Sequence, residues 1–328
     1  MTKLTNKILL AAAVALTAGF AAAPASAQSI RLAFGDLPGI ESIAMLTAIE
    51  RAREAGASIE VIALNDEDLA AQAIVGGQAD VAIGAPYALI QEAGVPVRMF
   101  AKISNARFFP VVNTEFYDSW EDLDGQEIAV QARGSGTEAI MVMMAEAKGI
   151  SYSAISYVPG SEVRRGALMQ GTIRASIVDA ANRSILLAEA PDRFMVLPIE
   201  DVSATDEALF ARSDYLANNA AAVDMLVEAL ITVAREIDAN PQAAVDFVHQ
   251  YGLLADLNPS DAEVLDYYTE TTEADALITN GGTVDEVISD FGFFGASGQL
   301  TGDPATLDPA DFWDFSSVER VLGKLGAM

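Results

Sequence analysis

The sequence predicts an α/β protein shaped as a two-lobed clamp, each lobe a mainly parallel sheet flanked by helices, with a ligand cleft between the lobes. Three observations carry this. A strand–helix alternation runs through residues 30–103 and restarts over 108–198. Its strands are short, near-continuous apolar runs, as in sheets covered on both faces. From about Asn218 onward the pattern turns helical, leaving chain to return to the first lobe.

The first lobe opens with alternating residues at 30–35, a strand, and a Pro38-Gly39 turn. Residues 43–55 place Ile43, Met45, Leu46 and Ile49 at helical spacing. A strand at 59–64 and a helix at 68–75 follow, the helix ended by Gly76-Gly77. Strands at 80–84 and 97–103 enclose a short helix at 87–93. The second run has extended chain at 108–112, strands at 127–131, 156–158, 175–178 and 194–198, and helices at 137–148, 162–170 and 182–190. Helices at 220–237, 242–250 and 259–276 complete the reading, the first two separated by Asn240-Pro241. The expected division is therefore 28–107 for the first part of lobe one, 108–204 for lobe two, and 205–328 for a helical return and C-terminal extension. Hinges are expected in the two crossings, 104–109 and 198–205.

Residues 1–27 read as a cleavable export signal. Lys3 and Lys7 precede an apolar run at 8–23, and Ala25-Ser26-Ala27 gives the small-x-small cleavage pattern. The run is shorter than the roughly 20 residues a membrane span needs. Cleavage leaves 301 residues, enough for a large core without covalent staples. The chain has no cysteine. That excludes disulfides, thiolate metal sites, a cysteine nucleophile and a lipid-modified N-terminus. Export without an anchor implies a periplasmic, soluble protein. Formal charge is −28, or −30 once Lys3 and Lys7 are lost, which argues against nucleic acid and anionic membrane partners.

Several segments carry a resemblance: AIVGGQADVA at 73–82, WEDLDGQEIAV at 120–130, GSGT at 134–137, MQGTIRASIV at 169–178 and DANP at 238–241. In this order and spacing the chain resembles the periplasmic substrate-binding proteins of ABC importers in the nitrate/sulfonate/taurine group, the NMT1-type clan that also holds thiamine-pyrimidine-like proteins. Arg174-Ala175 stands where that group commonly has Asp-Ala. The resemblance implies a type II periplasmic binding fold that captures a small organic solute by hinge closure. It also implies a monomer that delivers the solute to an inner-membrane permease and its ATPase, without cofactor or catalysis. Two alternatives remain: an enzyme on the same fold, of the thiamine-pyrimidine type, or a sensor partner of a membrane receptor.

In open α/β sheets, ligands sit beyond the carboxyl ends of the strands. The candidate site residues are accordingly Leu37, Gly39, Ile40 and Glu41 after the first strand, Ala85, Pro86 and Tyr87 after the third, and Asn105 in the first crossing. Arg133, Ser135, Gly136 and Thr137 lie in a glycine turn, and Asp179 and Asn182 follow a strand. The glycine turn at a helix start, beside Arg133, suggests an anionic or zwitterionic, sulfonate-, taurine- or nitrate-like ligand. Each has a purely structural counterpart: Ser135 and Glu138 can form a capping box, Tyr87 can fill a core, Glu41 can favour a helix dipole, and Asn182 can cap its helix. His249, the only histidine, has no second ligand to make a metal site.

Overall fold

The computed structural model describes residues 29–326, apart from 36, 65–66 and 200–203, and in it the strands form two five-stranded sheets, one in each lobe. The export segment expected at 1–27 lies outside the described residues. The first lobe runs β1 (Ser29–Phe34), α1 (Ile43–Glu54), β2 (Ser58–Ala63), α2 (Glu67–Val75), β3 (Val81–Gly84), α3 (Tyr87–Ala93) and β4 (Val97–Asn105). The second runs β5 (Phe108–Asn113), β6 (Glu127–Val130), α4 (Gly136–Lys148), β7 (Ala154–Tyr157), α5 (Ser161–Gln170), β8 (Ala175–Asp179), α6 (Ala180–Glu189) and β9 (Phe194–Val196).

Residues 205–328, read as a helical return, instead begin with a strand, β10 (Thr205–Arg212). It inserts between β3 and β4, antiparallel to both, giving the order β2-β1-β3-β10-β4. The second sheet repeats the plan as β7-β6-β8-β5-β9, with β5 antiparallel to β8 and β9. Both sheets are therefore mixed. In each, one strand at a crossing enters beside the parallel set from the opposite direction. The segment Ala208-Leu209-Phe210-Ala211 is apolar without a period, and such a run does not separate strand from helix.

After β10 come α7 (Ser213–Asn218), α8 (Ala220–Ala239), α9 (Gln242–Tyr251), α10 (Asp261–Glu273), α11 (Val284–Ala296) and α12 (Ser316–Leu325). Helix α8 buries Val223, Leu226, Val227, Leu230, Ile231 and Ile237, an i, i+3, i+4 stripe laid against α1. Arg51 of α1 grips Glu236 of α8 with two bonds of 2.6 and 2.7 Å. The last helices do more than cover lobe one. Phe291, Phe293 and Phe294 of α11 enter a core shared with Ile140 of α4 and Val130 of β6, tying the C-terminal segment to lobe two.

The crossings lie side by side. The amide of Ala106 donates to the Ala204 carbonyl at 2.8 Å, and the Trp120 indole donates to Pro198 O at 2.7 Å.

Candidate functional site

The parallel strands of both sheets point their carboxyl ends at a single cavity of about 90 Å³. Lobe one supplies Leu37 and Glu41 from the β1–α1 turn, Glu67 at the start of α2, Ser104 and Asn105 at the end of β4, and Asp206 and Glu207 of β10. Lobe two supplies Gln131, Ser135, Gly136, Thr137, Ser161, Glu162, Arg164 and Asp179. Tyr267 of α10 and Phe108 add aromatic faces. The lobes come close: a Cβ at Gly136 would lie 3.6 Å from Asp206 Oδ1, and one at Gly160 would lie 3.2 Å from Leu37 Cδ1.

Seven of the fourteen residues expected from sequence line this cavity: Leu37, Glu41, Asn105, Ser135, Gly136, Thr137 and Asp179. Ala85, Pro86 and Arg133 line an adjoining hollow that shares Glu67 with it. Gly39 and Ile40 shape the turn behind Glu41, where the Ile40 carbonyl accepts a bond from Tyr268 Oη at 3.1 Å. Asn182 sits beneath Asp179; its amide N–H donates to Asp179 Oδ1 at 2.7 Å and its Nδ2 to Oδ2 at 2.8 Å.

Tyr87 is a correction. Expected at the ligand, it is 0% exposed and stands in the core. Its hydroxyl donates to Asp290 Oδ2 at 2.5 Å and accepts from the Trp313 indole at 2.8 Å. Asp290 also accepts from the Thr205 amide and hydroxyl, both at 2.7 Å. Burial pushes the acid of Asp290 and the phenol of Tyr87 upward, as it disfavours either anion. The network pins α11 to β10 and α3.

At the glycine turn the helix cap expected of Ser135 forms, while the Glu138 carboxylate bonds the Gly134 amide in place of the Ser135 amide. Ser135 caps α4, and Glu138 folds back to accept the Gly134 amide at 2.6 Å and the Tyr157 hydroxyl at 2.6 Å. Thr137, 1% exposed, accepts from the Gln131 amide at 3.0 Å and bonds Ser135 Oγ at 2.8 Å. Arg133 lies over the Tyr157 ring, its guanidinium carbon 5.1 Å from the centroid. The Glu138 carboxylate thus lies against the turn before the cap.

Arg164 is committed too. Its guanidinium donates to Ile177 O at 2.9 Å, Val158 O at 2.7 Å, Ser161 Oγ at 2.9 Å and Gln131 Oε1 at 2.5 Å. Arg107 pairs with Glu270 of α10 at 2.9 Å, and Glu270 pairs with Arg183 of α6 at 2.6 Å. This second pair spans the lobes. Gln131, Ser161, Glu162, Arg164, Asp206, Glu207 and Tyr267 line the cavity as well, without a motif in the sequence to mark them. Asp206 and Glu207 were within reach, had the acidic start of β10 been read as a strand facing the cleft.

A family model described as NMT1/THI5 like matches residues 42–244. No curated protein matches the chain. Among solved structures, a protein from Bordetella bronchiseptica RB50 is similar at a TM-score of 0.73 and 20% identity, over 91% of this chain and 98% of that one. The periplasmic nitrate-binding protein from Synechocystis PCC 6803 gives 0.70 at 12% identity, over 92% and 90%. The alkanesulfonate-binding protein from Xanthomonas axonopodis pv. citri, bound to MOPS, gives 0.66 at 16% identity, over 87% and 98%. These likenesses show the fold.

Proposed function

Because the chain belongs to the NMT1/THI5-like family, we propose that it is an exported solute-binding protein that takes a small polar solute between its lobes and presents the closed form to an ABC-type permease and ATPase. The observation that carries this reading is the cavity itself, which both lobes line at the carboxyl ends of their parallel strands. A solute touching both lobes binds the closed form better than the open one and shifts the balance toward it. The paired crossings at Ala106 and Ala204 supply the seam on which the lobes turn. The nitrate and alkanesulfonate proteins named above lend support to the role, and not to the identity of the solute. Release from the export signal after Ala27, a periplasmic location and a monomeric state complete the proposal.

Binding without turnover is part of the reading. The single histidine, His249, is exposed and paired with Asp261 at 2.9 Å, away from the cleft lining. The test uses the chain from Gln28 onward, screened by thermal shift against small solutes, with small-angle scattering on every hit. A stabilising solute is expected to compact the protein and to be recovered chemically intact. Conversion of the solute, or stabilisation with no compaction for any hit, overturns the proposal.

A further inference from the structure

The charge of the cleft runs opposite to that of a nitrate or sulfonate site. Six of its nineteen lining residues are acidic: Glu41, Glu67, Asp206 and Glu207 from lobe one, Glu162 and Asp179 from lobe two. Only Arg107 and Arg164 offset them, a formal excess of four negative charges. That density is about twice the chain's own average of 47 acidic residues in 328, so the acidic surface alone does not account for it. Both guanidinium groups are engaged, Arg164 by protein carbonyls and side chains and Arg107 by Glu270. At the glycine turn the Gly134 amide, just before the Ser135 cap, is held by Glu138, which sets a further carboxylate beside the start of α4.

The remaining polar groups point the same way. Ser104 and Asn105, both half-buried, line the cavity, and their Oγ and Oδ1 atoms are shielded from solvent with no hydrogen-bond partner in the protein. The carbonyl-type oxygen of Asn105 accepts only, so what satisfies it must bring an N–H or O–H. The aromatic faces of Phe108 and Tyr267 at the same cavity favour a cation and disfavour an anion. Among the described residues no three His, Asp or Glu side chains group as a metal site requires.

Resting on the solute-binding reading above, we propose that the cleft takes a small organic amine, positively charged and bearing N–H donors, with no acidic group of its own. Carboxylates on both lobes give the mechanism. An ammonium placed between them is attracted to carboxylates of both lobes at once only when the lobes are together, so the ligand's charge drives closure.

The experiment is calorimetric titration of the chain from Gln28 with 1,4-diaminobutane, ethylamine, tetramethylammonium, taurine, ethanesulfonate and nitrate. The amines are expected to bind, and tetramethylammonium to bind at least about tenfold more weakly for want of N–H donors. Glu162→Gln and Glu207→Gln, one on each lobe, should each weaken diaminobutane about tenfold or more, and raising NaCl from about 50 to 500 mM should weaken it further. Circular dichroism and urea midpoints establish that both variants fold; if one does not, Glu41→Gln takes its place. Compaction with ethanesulfonate, nitrate or taurine but not with the amines overturns the charge assignment and leaves the solute-binding role standing. Failure of all six, with no compaction by any member of the wider solute screen, overturns both.

Discussion

Arg164 shows how a polar side chain can serve a site by holding its neighbours in place. At 1% exposure it crosslinks the carbonyls of Val158 and Ile177 to Gln131 and Ser161, four separate points around one rim of the cleft. Lysine carries the charge but not the planar fork, so Arg164→Lys should strand at least two buried acceptors and cost about 2–4 kcal/mol. Urea unfolding reads this as a lower midpoint at unchanged slope. Asp80 makes a different test. Burial alone would raise its acid, but the Arg31 guanidinium, at 2.6 and 2.9 Å, and the Arg31 amide, at 2.9 Å, outweigh burial and hold it below 3.8. A carboxyl depressed in the folded state contributes stability that is full above its unfolded value and is lost as pH falls through the folded one. Asp80→Asn should therefore destabilise the protein at pH 7 and flatten the loss of stability below about pH 4, as seen in melting temperatures across pH 2–7. At this scale the sequence was half legible. Loop residues beside strand ends, such as Asp179 and Asn105, could be placed from the alternation of elements. Tyr87 could not, because its partners Asp290 and Trp313 lie over 200 residues away and only the folded core brings them together.

Among the elements, α6 and α10 face each other from opposite lobes, and Glu270 joins them through Arg183 while also holding Arg107 at the seam. The pairs are partly exposed, with Glu270 at 35% and the arginines at 18% and 23%, so each is worth roughly 0.2–1 kcal/mol. Only the Arg183 pair spans the lobes, so Glu270→Ala should shift the open–closed balance toward open by about fivefold at most. Fluorescence energy transfer between dyes on α4 and α9 would show the change without ligand, and an unchanged distance distribution would mean the pairs latch nothing. The fold was legible where elements announce their ends. Gly149 and Gly171 close α4 and α5 in the left-handed conformation that glycine takes without strain. It was illegible at β10, which lacks a period, and over α11 and α12, whose apolar faces make sense only against both lobes. Local pattern records what a segment buries, and not which neighbour covers it.

For the whole molecule, the formal charge of −28 is itself a force on the fold. Like charges spread over one surface oppose compaction, and salt screens them with a Debye length of about 30 Å at 0.01 M and about 8 Å at 0.15 M. The ion pairs that bind elements together, Arg320–Asp224 and Lys324–Glu228 on α8 and α12 among them, are partly exposed and weaken in the same salt. Which effect wins follows from the counts: 47 acidic groups face only 19 basic ones, an excess of 28 negative charges that ion pairing cannot cancel, so repulsion dominates. The melting temperature should therefore rise by several degrees between about 10 and 500 mM NaCl, corresponding to about 1–2 kcal/mol for a chain of this size. Over the same range, binding of a cationic solute should weaken, because salt that relieves repulsion across the surface also screens the attraction in the cleft. A neutral solute would show the first trend and not the second. Measuring both on one preparation separates the general acidity of the surface from the charge built into the site.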